Sequence, residues 1–422
     1  MDNFSLFKNI RNKICFIKEY LNNNIFVIKP KKFNSSKESN KIEIVIKYKN
    51  KIKNKQKLFK KRNAGVDLVR IVSMLGIVYI HVLFIGKANY KYNKYIINLN
   101  SSVTYVFWHN NAFSIISGVV SSPITKYSNL LYLWLCAVFY SLGFHFYYLK
   151  YKFGGVKRGL YKEYFPVIYD RYWYFSSYFG MFIFLPVINK GIQYLSNLEF
   201  KLLVMSFLGI FSFWNNYINY KYHFYMGDGS SPMSLLYLYI IGAYIKKFNI
   251  EFTGIKRYII ILIYFSIFIS LCFANNQYLN YINNSADYEK KLGNFIKSLM
   301  SRSLNGVLRT SQAILITLFF LQLKYNEYIS KFITFFGQLT FGVYLIHMNQ
   351  NVIYFYLRKL LNGESDNLTS NEVIQMLIFK SIKLFLECII IEYLRHLLFN
   401  ILKIRKICML IEKIVFKVAN FF

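Results

Sequence analysis

In the run from Arg62 to Leu83, RNAGVDLVRIVSMLGIVYIHVL, three side chains stand out from a background of Val, Ile, Leu, Met and Gly. Asp67 and Arg70 lie near its start and His81 near its end. A guanidinium holds phosphate or carboxylate through a planar fork of donors. An imidazole, neutral near pH 7, accepts a proton as a general base or carries a group as a nucleophile. On a helix, the eleven positions from Arg70 to His81 come within about 20° of repeating a direction, so both side chains share one face, about 16 Å apart. Asp67, three residues before Arg70, falls on that face and is able to pair with it. The pattern is a single polar stripe on an apolar helix.

Such a stripe is costly in lipid. An Arg or Asp at the centre of a membrane helix costs about 2.5–3.5 kcal/mol on insertion scales, and less near a helix end, where the side chain reaches the interface. Asp67 and Arg70 fit the second case. His81 is too short to reach out, so it requires a partner or a wet cavity. Its structural alternative is a plain hydrogen bond to a neighbouring helix, and its alignment with Arg70 favours chemistry over that alternative.

The elements that must hold this stripe follow from composition. Of 422 residues, 55% are hydrophobic, and several runs approach the ~18–20 apolar residues that cross a bilayer. The expected fold is all-α, a polytopic membrane helix bundle of about ten transmembrane helices. The spans fall near 66–86, 103–122, 128–149, 173–188, 200–214, 233–246, 258–275, 305–323, 333–357 and 374–402. The fourth to sixth are short and read as barely crossing or partly re-entrant. Residues 1–62 hold 18 Lys or Arg against 4 acids and no long apolar run, which reads as a basic cytosolic N-terminal tail near anionic lipid. Residues 63–402 form the bundle and 403–422 a basic cytosolic C-terminal tail. Both termini are expected on the cytoplasmic side. The loop at 150–172 disagrees, because an outward loop there carries Lys150, Lys152, Lys157, Arg158, Lys162 and Arg171.

The net charge of +34 does not point to nucleic acid, since the basic residues lie mainly between apolar runs, where membrane proteins keep them. The five cysteines show no CxxC or Cys/His spacing, so neither a metal site nor a disulfide framework is expected.

Five motifs in order carry a resemblance. RNAGVDL is followed by Arg70, ten residues and His81. NAFSIISG runs from Asn111 to Gly118, RYWYFSSYFGMFIFLPVIN from Arg171 to Asn189, MSLLYLYIIGAYIKK from Met233 to Lys247, and LTFGVYLIH from Leu339 to His347. Together they resemble the acyltransferase-3 family of bacterial multi-span O-acyltransferases, from about residue 62 to at least 355. One departure is that SSPITKYSNLL after the second helix offers only Lys126 where many relatives have a basic cluster.

The resemblance implies an acyl-CoA donor, usually acetyl-CoA as co-substrate with no bound cofactor, and a glycan acceptor, in the bacterial cytoplasmic membrane. Asp67, Arg70 and Lys126 would then form the donor end, with Arg70 and Lys126 meeting the CoA phosphates and Asp67 paired with Arg70, the pantetheine arm would follow the stripe, and His81 would act at the thioester as base or nucleophile. His347 reads as a second catalytic histidine, three residues after Tyr344. Asn111, Ser117, Trp173 and Tyr178 read as acceptor contacts. Asp228, in YMGDGSSP before the sixth span, has the chemistry to bind a hydroxyl, but a loop Asp after Gly is usually turn chemistry. A glycan transporter or flippase is the rival reading. It predicts repeated halves and Pro/Gly-broken helix pairs, and neither is visible among five prolines.

Overall fold

The computed structural model describes residues 62–95, 98, 99, 102, 108–122, 124–151, 160–214, 226, 229–250, 255–284 and 306–420. Asp228, His223 and residues 1–61 lie outside the described residues. Among those described, every regular element is a helix and there is no strand. Ten helices fall on the ten apolar runs: α1 (Ala64–Phe84), α2 (His109–Val119), α3 (Tyr127–Tyr151), α4 (Trp173–Tyr194), α5 (Asn197–Phe207), α6 (Pro232–Phe248), α7 (Ile255–Asn284), α8 (Val307–Leu321), α9 (Glu327–His347) and α10 (Ser370–Ile401). An eleventh, α11 (Ile404–Ala419), follows.

Local chemistry starts these helices. Asn63 caps α1, its side chain accepting from the Gly65 N–H at 2.8 Å, and Asp67 lies in the favourable first turn. Ser196 with Glu199, and Thr369 with Glu372, form capping boxes on α5 and α10. Ser231 caps α6, with Pro232 at the first helical position.

Three boundaries correct the sequence reading. α4 runs through Pro186 to Tyr194, 22 residues, and α5 continues as a π-helix over Leu208–Trp214, so both are long enough to cross. α6 has 17 residues. The run at 333–357 is not one span: α9 ends at His347, and Gln350–Phe355 is a separate short helix capped by Asn349. By length and composition, five helices qualify as membrane spans, α1, α3, α4, α5 with its π-helical extension, and α9. The core of α7 and all of α8 are shorter apolar helices.

α1 is the hub, packing against α2, α8, α9 and α10. One apolar cluster joins α1 to α3, α9 and α10. Another joins it to α2, α4, α5, α6 and α8. Small residues set the closest approaches, as they do between membrane helices. Gly118 of α2 and Gly242 of α6 face each other, and a Cβ on either would strike the other helix's backbone. On α9, a Cβ at Gly337 would meet Asp67, and one at Gly342 would meet the Glu392 carboxylate.

Candidate functional site

The two histidines that the sequence placed 266 residues apart are in contact. His81 Nδ1 and His347 Nε2 are 3.0 Å apart, with ring centroids at 5.2 Å. His347 is fully buried, and its Nδ1 lies 2.6 Å from the Val343 carbonyl, one turn back on α9. A carbonyl only accepts, so His347 Nδ1 carries a proton. With both rings uncharged, His347 Nε2 is bare and accepts, and His81 Nδ1–H donates to it. The proton on His81 is thereby held at Nδ1. Its Nε2 keeps a lone pair and makes no hydrogen bond among the described residues. Half-buried His81 thus presents a basic nitrogen whose ring is oriented by a second ring, which a backbone carbonyl orients in turn. The arrangement is that of an oriented base.

Eleven positions earlier on α1, Arg70 Nη1 bonds Asp67 Oδ1 at 2.6 Å. Asp67 is fully buried under Gly337, whereas the Arg70 side chain keeps 23% of its surface exposed. Gly76 packs on His109 at the start of α2. Tyr178 of α4 lies near both Arg70, earlier on α1, and Ser117 near the end of α2, and Ser117 Oγ donates to the Phe113 carbonyl at 2.8 Å. α1 and α2 are therefore antiparallel, and the structure gathers Arg70, Ser117 and Tyr178 at one end of the stripe. Between the two ends, Ser114 Oγ meets Tyr174 OH at 3.0 Å, and the Tyr174 backbone N–H donates to Tyr344 OH at 3.2 Å.

The remaining sequence candidates disperse. Asn111 is buried, and its Nδ2 points to Thr310 Oγ1 at 3.5 Å, where Tyr237 and Ser212 also converge. Trp173 begins α4, half-buried and edge-on to Tyr174, at the histidine end. Lys126 is exposed just before α3.

A profile of the acyltransferase-3 family, an acyltransferase domain, matches residues 63–389. The chain belongs to the acyltransferase-3 family. Comparison with curated proteins and with solved structures finds no match. Family membership makes this a membrane acyltransferase, and the five long apolar helices agree with a multi-pass chain.

This acyltransferase-3 bundle holds polar groups that the sequence reading passed over. Glu392 and Arg395 of α10 are each about 96% buried as side chains and bind in bidentate fashion, at 2.5 and 2.9 Å. Tyr140 OH donates to Glu392 Oε2 at 2.6 Å, and Arg395 Nη1 donates to Tyr132 OH at 3.1 Å and meets Cys136 Sγ at 3.3 Å. The signal was present: an acid and an Arg three apart inside the apolar run LFLECIIIEYLRHLL obey the logic that exposed Asp67 and Arg70. His109, left without a partner by the sequence, stacks on Trp108 at 3.9 Å and bonds the Val72 backbone of α1. The conflicting loop at 150–172 is partly explained as well. Arg171 is paired with Glu163 at 2.7 Å and donates to Gln350 at 2.6 Å, so its charge is cancelled within the fold. Lys152, Lys157 and Arg158 lie outside the described residues.

Proposed function

We propose that this protein transfers an acyl group, acetyl in the simplest case, from acyl-CoA to a hydroxyl of a cell-surface polysaccharide or lipid-linked glycan. Its place would be the bacterial cytoplasmic membrane, with both termini cytoplasmic. The observation that carries this reading is the bond series Val343 carbonyl, His347, His81, which leaves His81 Nε2 as a base at the end of a stripe that begins at an Arg.

In this mechanism the acceptor oxygen attacks the thioester carbonyl while His81 Nε2 removes its proton. The C–S bond then breaks. The proton passes from His81 to the departing sulfur, and the products are an ester and the CoA thiol. His347 is a positioning residue: it keeps the His81 proton on Nδ1. Arg70 meets the CoA phosphates with its exposed edge, while Asp67 fixes the guanidinium from below. Lys126 offers a second cation at the same end of the bundle. The ~16 Å from Arg70 to His81 suits a long, thin donor arm. Ser117 and Tyr178 were expected to contact the acceptor, but they stand beside Arg70, so we assign them to the donor arm. Trp173 keeps the acceptor role, at the histidine end. Asn111, bonded to Thr310, holds α2 to α8.

The test is transfer of labelled acetyl from acetyl-CoA in membranes, comparing wild type with His81→Ala at matched protein level. A loss of about 10²–10⁴-fold is expected for removing a positioned base. Wild-type transfer in the variant would overturn the mechanism, and labelled product in wild type identifies the acceptor.

A further inference from the structure

The C-terminal segment is basic, and read as sequence alone it suits a solvated tail. The structure folds Ile404–Ala419 into α11, which leaves α10 at a break where Lys403 adopts a left-handed backbone, φ 53°. Two ring contacts tie it to α3: Phe416 against Tyr127 at 6.0 Å, and the Arg405 guanidinium over Tyr132 at 4.5 Å. Eleven residues of α11 lie between those contacts, about 16 Å of helix, against five residues, about 7.5 Å, on α3. α11 therefore packs against the first turns of α3 instead of continuing α10.

Around its axis, at 100° per residue, α11 divides into three sectors. Cys408, Arg405 and Phe416 face α3, and Cys408 is fully buried there. The one acid, Glu412, falls in this sector and is half-buried. Ile407, Ile411, Ile414 and Val418 form a second, outward sector, between 41% and 53% exposed. Lys406, Lys413 and Lys417 form the third, all exposed. An apolar face flanked by lysines, with the acid turned away, is the pattern of a helix lying in the plane of a lipid interface.

We propose that α11 is a lipid-interface helix that binds anionic phospholipid headgroups of the surrounding leaflet. Ile407, Ile411, Ile414 and Val418 enter the acyl boundary, and Lys406, Lys413 and Lys417 meet the phosphates above it. The charge complementarity is one-sided by construction, since no carboxylate shares the lysine sector. α11 packs on the first turns of α3, next to Lys126, so the lipid contact lies at the Arg70 end of the bundle. Lipid binding by α11 is independent of the acyl-transfer reading.

The test uses full-length protein in lipid discs made either of phosphatidylcholine alone or of an equal mixture with phosphatidylglycerol. Amide hydrogen exchange is followed in the peptide covering 404–419, with peptides from α1 as an internal check on folding. In the anionic discs α11 amides should exchange at least about tenfold more slowly than in neutral discs, given the strength of basic residues at an anionic surface. A K406Q/K413Q/K417Q variant should lose that difference while α1 exchange is unchanged. An I407S/I414S variant, which keeps every charge, should exchange faster in both disc types. Equal protection of wild-type α11 in neutral and anionic discs would overturn the proposal, and so would rapid exchange in both.

Discussion

Two ionisable clusters sit inside one apolar bundle and use their hydrogen bonds in opposite ways. At Glu392–Arg395, both charges are buried and most of their valence is used: the guanidinium meets the carboxylate, Tyr132 and Cys136, and the carboxylate also takes the Tyr140 hydroxyl. The Phe399 ring covers the guanidinium at 4.6 Å. At His81–His347 the bonds run in one direction, from His81 to His347 to the Val343 carbonyl, and the ring that begins the series keeps a nitrogen without a partner among the described residues. The first cluster is closed and holds α3 against α10, with Gly342 of α9 pressed onto the carboxylate. The second stays open toward whatever enters beside half-buried His81. A buried polar group is thus evidence of a site only when part of its bonding capacity is left over.

Four substitutions sharpen this contrast. The largest effect is expected for Glu392→Ala, which leaves the Arg395 charge buried and unpaired. A loss of about 3–5 kcal/mol in stability is expected, read as a lowered thermal midpoint of the purified protein. Acyl transfer per folded molecule should be retained. His81→Ala should show the reverse, with little change in midpoint and a collapse of transfer. If Glu392→Ala abolished transfer in protein that remained folded, the closed cluster would have to be part of the chemistry.

A smaller effect is expected for Tyr140→Phe. It removes one bond to a charged acceptor that still keeps Arg395, so about 1.5 kcal/mol, the low end for such a bond, should be lost. The same thermal measurement checks it, and a loss as large as that of Glu392→Ala would mean that Arg395 alone does not neutralise the carboxylate.

The smallest effect is expected for Arg70→Lys. A lysine keeps the charge but not the fork that holds both Asp67 and a phosphate. The apparent KM for acyl-CoA should rise by less than about tenfold, under ~1.4 kcal/mol, with kcat nearly unchanged. An altered kcat at constant KM would move Arg70 from donor binding to the reacting centre.

Much of the bundle was legible in the sequence because its information is local. Apolar runs of spanning length, capping residues such as Asn63, Ser196 and Thr369, and the 3.6-residue period that aligns Asp67, Arg70 and His81 are properties of neighbouring positions. Each of the ten runs holds a helix among the described residues, and the Asp67–Arg70 pair formed as its spacing required. What spacing does not contain is which helices touch. Only the packing of α1 on α9 joined His81 to His347, and the direction of that bond, set by the Val343 carbonyl, decides which nitrogen is basic. Packing likewise separated Asn111, bonded to Thr310, from Ser117 and Tyr178, gathered beside Arg70. It cut the 333–357 run at His347, where the cap Asn349 begins a new helix. It also made an ordered, one-sided helix of a segment whose composition read as a tail. The reason is common to all four: a helix wheel shows what a face carries, while the depth and angle at which two faces meet depend on small residues such as Gly337 and Gly342 on the partner helix.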